Sequence, residues 1–156
     1  MIDFYTAGTG NGHRAAIALE ESGLAYRAHK LNLAAGDARK PEYLAINPAA
    51  MIPAIVEQEG PGGKPLTIAQ SGAIALYVAE KSGKLLPKDP VRRAQALHWF
   101  MHACSDCALT SGTMFHLANT APEKSQANVD FFEKRDRKST RLNSSHHVVS
   151  RMPSSA

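Results

Sequence analysis

Cysteine is scarce in this chain. There are two in 156 residues, Cys104 and Cys107, too few for a disulfide framework to hold the fold. Long apolar runs are absent: none approaches the ~18 residues of a membrane span. The N-terminal Met1-Ile2-Asp3-Phe4 has no basic flank and no apolar export segment. These absences set the expectation of a soluble, cytoplasmic protein with no membrane partner. Charge of one sign is also in short supply. The net charge is +4, with a pI near 9.2, and most of the excess sits at one end. Residues 136–156 hold Arg137, Lys138, Arg141 and Arg151 against Asp136 alone, a net of +3 that leaves +1 for residues 1–135. No aromatic residue interleaves with those basic side chains to stack on bases, so no nucleic-acid partner is expected.

The same tail carries six serines and no helical or strand period. Such a composition cannot offset its ordering entropy, and disorder is expected over 136–156. Asp136 to His146 reads, codon by codon, as a string that looks like a widely used sequencing-library adapter. Beyond three variable codons, Ser150 to Ala156 is similar to that adapter's continuation. On this reading the tail is non-native, the His146-His147 pair is no metal site and Asn143-Ser144-Ser145 no glycosylation site. Function is argued from residues 1–135.

What remains has 44% apolar residues over the whole chain, enough for one domain or two small ones sharing a core. Ile2 to Tyr5 reads as a strand, followed by the loop Thr6 to Gly12 and a helix from about 12 to 22, with Gly23 as its stop. Tyr26 to Leu33 alternates as a second strand, and Pro41 to Ile46 is a short helix ended by Asn47-Pro48. Strands follow at Ile52–Val56 and Leu66–Ile68, joined by Gly60-Pro61-Gly62-Gly63, the last antiparallel. The helix expected over 71–81 is apolar almost all round and should be buried. The fold class is α/β, a small sandwich over 1–82. A linker covers 83–90. A helical region covers 91–135, with Asp89-Pro90 as cap and first helical residue. Its second helix stops short of what a bundle needs, so an incomplete, marginally stable all-α domain is expected.

Three places can carry chemistry. Gly8-Thr9-Gly10-Asn11-Gly12 lies between a strand and a helix. It can be a tight turn, or a nucleotide-binding turn, although His13 stands where the third glycine is needed. It can also be a site where the Thr9 hydroxyl, the Asn11 amide and the helix dipole stabilise a ligand's thiolate. Pro53 at a strand entrance can be a trans residue guarding a sheet edge, the simpler reading, or a cis one. A cis bond would turn the backbone of Ile52 outward to pair with an extended peptide. Ser71 can be a plain helix cap, or Gln70 and Ser71 can hold a ligand carboxylate with the helix N–H groups. Together the three would hold a short peptide with a thiol in the middle and a carboxylate at one end.

At these residues the chain resembles the glutathione S-transferases. The resemblance rests on Ile52-Pro53, on Gln70-Ser71-Gly72-Ala73-Ile74 and on the Gly/Pro-rich hairpin between them, and it covers residues 1–135. Met1 to Tyr5 and Thr9-Gly10-Asn11-Gly12-His13 are similar to the bacterial nu-class branch, the glutathione-dependent disulfide-bond oxidoreductases. The resemblance implies a thioredoxin-like N-terminal domain followed by an all-helical one, and a homodimer using glutathione as cosubstrate without metal. It also implies that Thr9 and Asn11 face the glutathione sulfur and that Ile52 pairs with the cysteinyl part. Pro53 would be cis, and Gln70 and Ser71 would hold the γ-glutamyl end. Two departures stand out. Met51 replaces a residue that is polar or basic in many relatives, and Val129-Asp130-Phe131-Phe132 lacks an arginine found in nu-class relatives.

The implied activity is transfer of glutathione to an electrophile or reduction of a small disulfide. The competing expectation is a non-catalytic binding or interaction domain. Cys104-Ser105-Asp106-Cys107 falls on a long helix rather than after the first strand, so it reads as two packed thiols and not a redox pair. His98, His102 and His116 lack metal-ligand spacing.

Overall fold

The computed structural model describes residues 1–146, with side chains through Lys138. The chain forms two units, Met1–Arg93 and a second that begins at Ala94.

The first unit contains β1 (Ile2–Thr6), α1 (Gly10–Ser22), β2 (Tyr26–Lys30), α2 (Pro41–Leu44), β3 (Ala54–Glu57), β4 (Leu66–Ala69) and α3 (Ser71–Ser82). The sheet order is β2-β1-β3-β4, with β1 parallel to β2 and the other two pairings antiparallel. Side chains alternate between the two faces of each strand. Ile2 and Phe4 of β1 therefore enter one core with Ala15 and Leu19 of α1, Ile55 of β3, and Ile74 and Val78 of α3. Each such large side chain contributes about 1.5–3 kcal/mol on burial. Tyr5 turns to the opposite face, where it packs with Tyr43 and Ala54. Only one face of α3 is fully buried, through Ile74, Val78 and Ala79.

Element boundaries differ from expectation for identifiable reasons. α1 begins two residues early because Thr9 caps it. It ends as expected at Gly23, whose φ of 69° is the left-handed value a helix stop favours. β2 stops at Lys30 rather than Leu33. There the Asn32 N–H bonds Asp37 Oδ2 at 2.7 Å and Asn32 Oδ1 accepts from Ala35 N–H at 3.1 Å, folding the chain into a polar turn.

The helical part comprises α4 (Pro90–His102), a π-helical segment (Ala103–Cys107), α5 (Ala108–Asn119) and α6 (Gln126–His146). Asp89 caps α4, its Oδ1 accepting from Arg92 N–H at 2.9 Å. Residues 136–146, for which no regular structure was expected, continue α6. Elongating a helix already nucleated at Gln126 costs little, Glu133-Lys134-Arg135 are good helix formers, and Glu133 pairs with Arg137 one turn on at 3.4 Å. Residues 147–156, which include His147 and the Ser150–Ala156 stretch, lie outside the described residues.

Candidate functional site

β-sheet register gathers the candidate residues at one end of the first unit. Tyr5, Ala54 and Ala69 lie side by side across β1, β3 and β4. The residues just past that row are the loop after β1, Ile52-Pro53 before β3, and Gln70-Ser71 after β4.

Thr9 is the N-cap of α1, with φ −127° and ψ 161°, and its Oγ1 accepts from Gly12 N–H at 3.1 Å. That bond uses a lone pair and leaves the hydroxyl proton free to donate outward. Of the three loop glycines, only Gly12 is sterically required. A Cβ there would stand 2.2 Å from the Ala7 carbonyl oxygen and 2.5 Å from Thr6 Oγ1, whereas Gly8 and Gly10 face open space.

Asn11 is exposed, and its Oδ1 accepts from Arg14 Nη2. The Nδ2 protons remain available as donors. The Arg14 guanidinium also reaches across to α3, where Nε and Nη2 donate to Ser71 Oγ at 3.4 and 3.3 Å. One side chain thus joins the loop to the start of α3. Sequence reasoning did not single out Arg14. The available signal was a cation near a helix N-terminus, where the dipole disfavours positive charge unless anions or acceptors gather round it.

The Ile52–Pro53 peptide bond is cis, in place of the simpler trans reading. The carbonyl before it is held twice: Met51 O accepts from Tyr43 Oη at 2.7 Å and from Asn47 Nδ2 at 2.6 Å. Burial pushes the Tyr43 phenol above its ordinary pKa, against a smaller opposing pull from Asn47, so it stays a proton donor. Among the described residues, no hydrogen bond occupies the backbone N–H or C=O of Ile52. Tyr43 and Asn47 are thus positioning residues that sequence reasoning used only as helix and helix end.

Ser71 is the first helical residue of α3 rather than its cap, which corrects the plain-cap reading. The cap position belongs to Gln70, at φ 75° and ψ 121°, whose side chain makes no capping bond. Its carbonyl accepts from Ile74 N–H at 3.0 Å. A cavity of about 460 Å³ adjoins Thr9 on the β2 side, lined by Ala7, Gly8, Thr9, Lys30, Leu31, Asn32 and Leu33. Asn11, Ile52, Gln70 and Ser71 lie outside that lining.

With this geometry in place, residues 11–81 match the family model of the glutathione S-transferase N-terminal domain. Residues 11–81 form a glutathione S-transferase N-terminal domain. It is 41% identical over 124 residues to the disulfide-bond oxidoreductase YfcG of Escherichia coli, a match covering 79% of this chain and 58% of that protein. It is 29% identical to the disulfide-bond oxidoreductase YghU of the same organism, over 84% of this chain and 47% of the relative. Among solved structures, a glutathione transferase family member from Pseudomonas fluorescens with two glutathione bound superposes with a TM-score of 0.87 at 31% identity. That match covers 93% of this chain and 65% of the other. Ure2p in complex with glutathione superposes with a TM-score of 0.81 at 26% identity, covering 90% and 60%. The chain spans about half the length of the curated relatives it matches.

The α/β unit has the thioredoxin-like fold of glutathione S-transferases, and a helical region follows from α4 onward. Among the described residues, no cluster of three or more His, Cys, Asp or Glu side chains could hold a metal ion. No described helix is long and apolar enough to cross a membrane.

Proposed function

We propose that the protein binds glutathione at this end of the sheet and uses its thiolate as a nucleophile on small disulfides or electrophilic carbons. The observation that carries the reading is the Arg14 bridge, which ties the Asn11 amide to the Ser71 hydroxyl. With Asn11 Oδ1 held by Arg14, its Nδ2 joins the Thr9 hydroxyl in donating to the ligand sulfur. Two donors at a helix N-terminus favour the thiolate over the thiol, whose ordinary pKa is about 8.5. Ser71 Oγ accepts from Arg14 and so offers its proton to an anion. With Gln70, the first N–H groups of α3 and the guanidinium charge, it would hold the γ-glutamyl carboxylate. The unoccupied backbone of Ile52 would pair with the cysteinyl unit as an added strand. In disulfide reduction the thiolate attacks one sulfur, the S–S bond breaks, and a mixed disulfide forms as the second sulfur leaves as thiolate. Cytoplasmic location and a homodimer complete the proposal.

A second reading, a non-catalytic glutathione-binding domain, draws on the exposed Met51 beside Ile52 and on the absence of arginine from Val129 to Phe132. Retention on immobilised glutathione and spectrophotometric titration of the bound thiol separate the two. The wild type should be retained, with its bound thiol titrating below 8.5. Thr9→Ser should keep that value. Thr9→Ala should return it toward the free one while costing about 1 kcal/mol of stability through the lost cap. Arg14→Ala should weaken retention about tenfold, the equivalent of one charged hydrogen bond, and Arg14→Lys by less. Retention with no shift of the thiol supports the non-catalytic reading. No retention removes both.

A further inference from the structure

The π-helical segment between α4 and α5 assembles three side chains that the glutathione reading does not use. His102 Nε2 lies 3.7 Å from Cys107 Sγ, and His102 Nδ1 lies 3.0 Å from Asp106 Oδ2. Cys107 lies five positions after His102. On a regular α-helix such positions lie about 140° apart around the axis and do not meet. Here the backbone widens to the π pattern, with Ala108 N–H bonded to the Ala103 carbonyl, and i and i+5 come onto one face. Asp106, four residues after His102, completes the line. The ring is further held edge-on to Trp99, with centroids 5.7 Å apart. The imidazole thus accepts from the thiol through one nitrogen and donates to the carboxylate through the other. Because the three groups form a relay and do not converge on a common point, the arrangement suits proton transfer rather than metal binding.

We propose that Cys107 is a second nucleophile, borne by the chain itself, that exchanges with small neutral or cationic disulfides, with His102 as general base and Asp106 as the group that orients it. The reaction balances without an external oxidant. Cys107 Sγ attacks one sulfur of the disulfide as its proton passes to His102 Nε2. The S–S bond of the reagent breaks, a mixed disulfide forms on Cys107, and the departing thiolate takes the proton back from His102. Nothing in this step needs an oxyanion hole, and exchange is favoured over acyl transfer for that reason.

The charge preference follows from the neighbours. The ionisable groups facing Cys107 are His102 at the end of α4, Asp106 from its own segment and Asp136 from α6. Burial first, then the charges of Asp136 and Asp106, push the Cys107 thiol above its ordinary pKa. The resting group is therefore the thiol, which is why a base must act. Asp106, within residues 1–135, repels an anionic disulfide, and in the 156-residue chain Asp136 adds to that repulsion. The site belongs to the second unit and is independent of the glutathione proposal.

The experiment uses the 156-residue chain without glutathione, in Cys104→Ser and Cys107→Ser versions, each carrying a single thiol. Neutral dithiodipyridine and dianionic dithiobis(nitrobenzoate) serve as chromogenic probes, and peptide mass mapping assigns the label. Cys107 should react with dithiodipyridine about a hundredfold faster than Cys104, the low end of general-base assistance for a group that rests as the thiol. That lead should vanish with the dianion. His102→Ala in the Cys104→Ser background should remove it with the neutral probe, and added imidazole should restore it. His102→Gln gives a second variant of closer shape, and circular dichroism checks that both keep their helices. Equal or slower reaction of Cys107 with the neutral probe would overturn the proposal. So would retention of the lead in both histidine variants, or loss of it that imidazole does not repair.

Discussion

Gln70 occupies a backbone conformation that an L-residue with a side chain rarely adopts. Its φ of 75° is matched in sign, among the described non-glycine residues, only by Ala50, at 54°. Such a conformation costs about 1–3 kcal/mol and persists where the surroundings impose it. Here the turn presents Ser71 and the start of α3 toward Arg14. Gln70→Gly removes the strain but adds chain entropy to the unfolded state, about 0.5–1 kcal/mol. The net expectation is stabilisation of up to about 2.5 kcal/mol in denaturant unfolding, with weaker retention on immobilised glutathione. Lower stability with unchanged retention would mean the amide packs rather than binds. Residue by residue, the candidate site was legible where structure is local. Thr9 before a helix, Pro53 at a strand entrance and the Gln70-Ser71 pair all announce themselves by position. Arg14 did not, because its partner Ser71 lies 57 residues away and only the packed α1–α3 pair brings them together. Nor did the swap of cap and first helical residue at 70–71, since a positive φ leaves no mark on a glutamine.

β1 illustrates how one element serves two faces with different chemistry. Ile2 and Phe4 enter the core, while Asp3, only 8% exposed, turns to the other face. There it meets His29 at 2.8 Å, Gln58 Nε2 at 2.7 Å and Arg27 at 3.8 Å. The His29 hydrogen bond above all, then that from Gln58, holds the Asp3 carboxyl below its ordinary pKa. A carboxyl depressed in the folded state contributes stability above its unfolded value, about 3.9, and loses it as pH falls through the lower folded value. Thermal melts from about pH 6 to below about pH 3 should therefore show Asp3→Asn less stable than wild type near neutrality, with the gap closing in acid. A gap of constant size across that range would assign the loss to packing instead. At this scale the strand order of apolar alternation was readable, and so were β3, β4 and α3. The end of β2 was not, because the Asn32–Asp37 turn that stops it depends on a side chain five residues on. The π segment was equally hidden: its residues keep a helical composition, and only the backbone bond from Ala108 to Ala103 reveals the extra residue per turn. The continuation of α6 past Asp136 was missed because serines and a basic excess were weighed as disorder, while the helix-forming run just upstream was not.

Across the whole molecule, burial is strongly uneven. Every fully buried apolar side chain among the described residues lies between Ile2 and Ala79. From Ala94 onward the one buried residue among those described is a threonine, Thr110. Met101, Leu109, Phe115 and Phe131 are 56%, 70%, 59% and 62% exposed. Since net stability is the small remainder of burial over chain entropy, a unit without a buried core has little of its own. The chain should therefore not unfold as one cooperative body. Native-state hydrogen exchange followed by mass spectrometry should find amides of β1, β3, α1 and α3 protected to the level of global unfolding. Those of α4, α5 and α6 should open far more readily. A dye that fluoresces on apolar surfaces should bind the native chain, and Leu109→Lys with Phe115→Lys should reduce that signal without lowering the protection of the first unit. Equal protection in both units would show that the helices are held by something other than their own core. In that case the four exposed side chains would have to be covered in solution, and the oligomeric state of the chain would become the next quantity to measure.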